Sequence, residues 1–147
     1  MKYLFYLLPL IAGVSMSIQS GVNGQLRAAL GQPLIAAFIS FLSGTITLLL
    51  LLLFTRTGFP SMQELGAVSL YKYTGGMLGV IVVTFVILSV QQVGASNMFV
   101  LIIAGQLVTA LLMDHFGILG LQLNPVNFQK LAGILLVVAG AYLVTRK

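Results

Sequence analysis

The segment PLIAAFISFLSGTITLLLLLLF, residues 33–54, is 22 residues long and contains no charged side chain. A helix needs about 20 mostly apolar residues to cross the hydrocarbon of a bilayer. The six consecutive leucines Leu48 to Leu53 point in every direction around such a helix, so part of that turn must face lipid. Pro33 suits a first helical turn, where its missing N–H costs nothing. This one stretch makes the protein an integral membrane protein, and the rest of the chain repeats the pattern.

Four further apolar segments are predicted as spans: residues 3–24, 73–92, 97–113 and 128–145. Ser96 is the expected N-cap of the fourth. The link from Thr55 to Lys72, with Gly58, Pro60 and Glu64, is expected to hold an interfacial turn of helix. The link Val93-Gly94-Ala95-Ser96 is very short, and residues 117–127, with Asn124-Pro125, read as a loop. The expected fold is thus all-α, one domain over residues 1–147 with five transmembrane helices. Composition agrees, with 59% hydrophobic residues, 6% charged residues and a mean hydropathy of +1.12. A soluble domain usually carries about a quarter charged residues. The start, Met1-Lys2-Tyr3 before an apolar run, also has the look of a secretory signal. It lacks a well-placed small-x-small cleavage site, so the first segment is expected to stay as a span.

The net charge of +5 does not point to nucleic acid, because the cations stand singly at segment edges or close the chain. Five spans place the termini on opposite sides. One side then holds Lys2, Arg56, Lys72 and Lys130, and the other holds Arg27, Arg146 and Lys147. Lys/Arg bias sets orientation, and four against three is barely a bias. The expectation is insertion in both orientations and pairing as an antiparallel homodimer of ten helices. A fixed orientation set by other features is the competing reading.

Little here could run an enzyme. The chain has one His, no Cys and two carboxylates, and no phosphate-binding, zinc-protease or dinucleotide motif occurs. Neither cofactor nor metal is expected. Polar groups inside the spans matter more, because a polar group in hydrocarbon is costly without a partner. Ser15, Gln19 and Asn23 recur at four-residue spacing and share a helix face. Gln106 lies near the middle of the fourth span, with Thr109 three residues on. These five residues are the candidate lining of a path for a polar small molecule. They could equally serve as hydrogen-bonded helix glue, worth about 0.6 kcal/mol per contact. Asp114, near the end of the fourth span, is a candidate coupling carboxylate or a helix-end group. Small residues mark the expected packing faces: Ala36, Ser40 and Gly44, then Gly75 and Gly79, then Gly133 and Gly140.

Four groups of residues carry a family resemblance. Gly21-Val22-Asn23-Gly24-Gln25-Leu26-Arg27 followed by Gly31-Gln32-Pro33 through Phe41 is similar to the start of the YdcZ family of the drug/metabolite transporter superfamily. Gly75-Gly76-Met77-Leu78-Gly79 resembles that family's third-span motif. Ala104-Gly105-Gln106-Leu107, with Asp114-His115-Phe116-Gly117, resembles its fourth, and Leu131-Ala132-Gly133 through Gly140 its last. The resemblance implies a half-size transporter of bacterial inner membranes, moving a small polar metabolite or an organic cation by alternating access. Small multidrug carriers of the superfamily use a first-span Glu, and this chain has no acid there. The alternative reading is a non-transporting accessory or structural membrane protein. A channel has less support, since no ring of charge or backbone filter is visible.

Overall fold

The computed structural model describes residues 2–146, with side chains from Phe5 onward. Six α-helices follow one another: α1 (Lys2–Leu30), α2 (Pro33–Phe54), α3 (Met62–Ala67), α4 (Gly75–Val93), α5 (Ala95–Phe116) and α6 (Phe128–Thr145). All but the short α3 are long and apolar enough to cross a membrane, with the residues before α4 included in its span.

The helix ends follow from local chemistry. Helix α1 runs six residues past the expected end at Gly24. Asn23, Gly24 and Gln25 would favour a turn in water. In a bilayer the backbone has no water to bond, so the helix is the cheaper state. It stops where Gly31 adopts φ 71° and donates its N–H to Arg27 O at 2.8 Å, a left-handed cap that suits glycine. Gln32 is extended, and Pro33 then opens α2. The third span starts with a 3₁₀ turn, Leu70–Thr74, and becomes α-helical at Gly75.

Gly94, at φ 79° and ψ 156°, alone separates α4 from α5. Only glycine takes that conformation readily. Ser96 is therefore the second residue of α5 rather than its cap, a correction to the sequence reading. The amide of Asn97 instead donates to Val93 O at 2.9 Å. Gly117 ends α5 in the left-handed region, its N–H on Met113 O. Asn127 caps α6 by accepting from Lys130 N at 2.8 Å.

In the link after α2, Ser61 and Glu64 form a capping box that starts α3. The Ser61 N–H and hydroxyl both donate to the Glu64 carboxylate, at 2.7 and 2.8 Å. The backbone bond, then the hydroxyl, holds the Glu64 carboxyl below the usual carboxylate range.

Two compact units make up the chain, Met1–Gln92 and Val93–Lys147. In the first, Ala36, Ala37 and Ile87 are buried together, flanked by Leu26 and Val83. Helix α1 is tied to α4 by side chain–backbone bonds running both ways. Arg27 Nη1 donates to Ile87 O at 2.9 Å and Leu88 O at 3.3 Å, and Gln91 Nε2 donates to Gly24 O at 2.7 Å. A Cβ at Gly24 would lie 3.2 Å from Val90 Cγ1, so the absent side chain permits this approach. In the second unit α5 packs on α6.

Candidate functional site

The buried stripe of α1 is Ser20, Asn23, Gly24 and half-buried Arg27. Its three-, four- and seven-residue spacing makes it one face. Asn23 belongs to that stripe, 4% exposed, while Ser15 and Gln19 are exposed. Ser15, Gln19 and Asn23 thus drift across the helix surface, because a strict four-residue step gains 40° per repeat over the 3.6-residue turn.

Gln19 opens onto a cleft of about 260 Å³ between α1, α2 and α4. Ser40, Phe41, Gly44, Thr45 and Leu48 of α2 and Val83 of α4 complete its wall. The size falls just below the range of small-ligand pockets, roughly 300–1,000 Å³. Phe41 is fixed by Gly79, where a Cβ would stand 3.3 Å from Phe41 Cζ. The Thr45 hydroxyl donates to Phe41 O at 2.9 Å. No hydrogen bond holds the Gln19 amide among the described residues, so its donors and acceptor are available to a guest. One residue beyond Val83, the Thr84 hydroxyl is buried with no partner among the described residues.

The sequence singled out Gln19 for the path and Ser40 and Gly44 for packing, and all three line one cleft. Phe41, Thr45 and Val83 were not singled out, and Leu48 was read only as one of six leucines of which part faces lipid. Their signal was position: Phe41 follows Ser40, and Thr45 and Leu48 lie one and four residues past Gly44. The role of Arg27 was also missed, since a lone cation at a span edge reads as a membrane flank.

In the second unit Gln106 and Thr109 are exposed on α5 and line neither cleft. Asp114 is half-buried. It joins Leu107, Ala110 and Leu111 of α5 in a second cleft, of about 420 Å³, against Lys130, Gly133, Ile134 and Val137 of α6. Its neighbour His115 accepts the Val126 N–H at Nδ1, 3.2 Å away. Of the remaining small residues, Ala36 is fully buried, Gly140 is half-buried, and Gly75 is exposed with open space around it.

Comparison with known proteins places this architecture. The family described as "Putative inner membrane exporter, YdcZ" matches residues 4–143. The inner membrane protein YdcZ of Escherichia coli (strain K12) is 30% identical over 137 residues, 92% of this chain and 91% of that protein. No solved structure matches the chain. With five membrane-crossing helices and a match along nearly its whole length, this chain is a multi-pass inner-membrane protein and belongs to the YdcZ family.

Proposed function

We propose that the chain is a half-size secondary transporter that moves a small polar or zwitterionic metabolite, or an organic cation, across the inner membrane. The observation that carries this reading is the α1/α2/α4 cleft, where a free amide at Gln19 meets an aromatic wall at Phe41 inside a span. The description of the family as an exporter supports it. Neutral amides both donate and accept hydrogen bonds, which suits a ligand carrying both kinds of group.

Five helices make a thin wall around a path. An antiparallel homodimer would supply ten, with two inverted copies of the cleft, and inverted repeats make the two end states of alternating access equivalent. In this reading Gln19, Asn23, Gln106, Ser15 and Thr109 line the path.

The test is a thermal-shift screen of polar metabolites, zwitterions and organic cations on the purified protein, followed by flux of each hit into liposomes. Gln19→Leu and Gln106→Leu should each remove the ligand-induced stabilisation and the flux while expression is unchanged. Variants that still bind and transport, with only their stability altered, would make these residues helix glue.

A further inference from the structure

The second cleft has a different character from the first, and we propose that it is a binding groove for one bilayer phospholipid with a primary-amine headgroup, of the phosphatidylethanolamine kind. This inference does not depend on what the protein carries.

Leu107, Ala110, Leu111 and Asp114 follow the spacing of one face of α5, and Lys130, Gly133, Ile134 and Val137 that of one face of α6. Six of the eight residues are apolar. From Leu107 to Asp114 the groove runs two turns, about 10 Å, from within the span toward its end. Both charges lie at that end. Asp114 is two residues from the end of α5, and Lys130 is the third residue of α6. A groove that is apolar toward the membrane interior and charged at the boundary matches a lipid, with its chain along the helices and its headgroup at the water.

The charges select the headgroup. The Lys130 ammonium donates to Asn124 O at 3.0 Å and Pro125 O at 3.2 Å. An ammonium has three donors, so one remains for a phosphate oxygen. The Asp114 carboxylate has no hydrogen-bond partner among the described residues and is half-buried. It is an acceptor for an N–H cation. A negative and a positive group at one end of the groove complement a headgroup that carries a phosphate and an ammonium. A choline headgroup has the same charges but no N–H, and a glycerol headgroup has no cation. Gly133 lines the groove, with nothing within 4 Å of where its Cβ would lie, so the groove can be filled from that position without disturbing the helix.

The test uses the full-length protein purified in detergent. Native mass spectrometry and thermal unfolding would compare ethanolamine, choline and glycerol phospholipids of matched chains, with water-soluble phosphoethanolamine as a fourth arm. The expected result is one retained ethanolamine lipid per chain, about tenfold tighter than the choline lipid, the worth of one charge-assisted hydrogen bond. Phosphoethanolamine alone should not stabilise. Asp114→Leu, which removes the acceptor, should erase the preference for ethanolamine over choline, and Gly133→Leu should weaken all three lipids. Equal stabilisation by the three lipids overturns the proposal, as does an ethanolamine preference that survives Asp114→Leu. Stabilisation by phosphoethanolamine alone would show that the apolar groove has no part in binding. Should Gly133→Leu split a dimer and leave lipid retention intact, a second copy covers the groove and the proposal fails.

Discussion

Replacing Arg27 with Met should loosen α1 from α4 and destabilise the first unit by about 1.5 kcal/mol. Met keeps the apolar stem and removes the guanidinium. Two hydrogen bonds disappear, a full one to Ile87 O at 2.9 Å and a longer one to Leu88 O at 3.3 Å. A bond to a charged group contributes about 1.5–3 kcal/mol, and the low end applies here. Both carbonyls lie within α4 and keep their helical partners four residues on, Gln91 and Gln92, so no buried acceptor is orphaned. Water screens a half-buried group, which holds the sum near the lower figure. Arg27→Lys should recover part of the loss, since it restores a charge but not the fork. Unfolding by denaturant in mild detergent, followed by circular dichroism, measures the difference. Gln91→Leu removes the return bond to Gly24 O. Because both variants act on one contact, the double variant should cost less than the sum of the two. An Arg27→Met protein as stable as the parent, or strictly additive costs, would refute the clamp.

Gly117→Ala should cost about 1–2 kcal/mol in the same unfolding assay, because φ 62° is left-handed backbone that a Cβ disfavours. Glu64 should titrate below an ordinary Glu in an NMR pH series, and Ser61→Ala should raise it only in part, since the substitution removes the hydroxyl bond and leaves the larger, backbone one. The sign follows from that depression. The capping box supports α3 above the ordinary carboxylate pKa, and its support fades as pH falls through the lower folded value, which amide exchange of residues 62–67 would report. The chain has no native cysteine, so one cysteine at Gly58 or at Gln32 can be labelled with a membrane-impermeant maleimide in spheroplasts. Dual insertion predicts about half labelling at each position.

The spans were legible because hydrophobic length is a one-dimensional property. Residues 33–54 alone required a membrane, and their predicted bounds match α2. Boundaries were misjudged where glycine has two uses. Gly24 reads as a helix end but is a contact point against Val90, whereas Gly31 and Gly94, with positive φ, are the real breaks. Sequence alone does not separate a glycine needed for its φ from one needed for its small size. The cleft was half legible. Gln19 stood out because an amide is costly in hydrocarbon, but Phe41 and Val83 are ordinary residues for a span, and only packing brings them opposite Gln19. Arg27 escaped notice because its partners are backbone carbonyls, which leave no trace in side-chain patterns.

The antiparallel pair is tested most directly by locking its two halves. Gly58→Lys with Gln63→Lys adds charge to the α2–α4 link, and Ala29→Lys with Gln32→Lys adds it to the opposite side, all four positions being exposed. Each pair should fix one orientation. With a ligand from the thermal-shift screen, uptake into liposomes is measured for each locked form alone and for the two combined. The account predicts no uptake from either form alone and recovery when both are present. Full uptake from one locked form alone would contradict it.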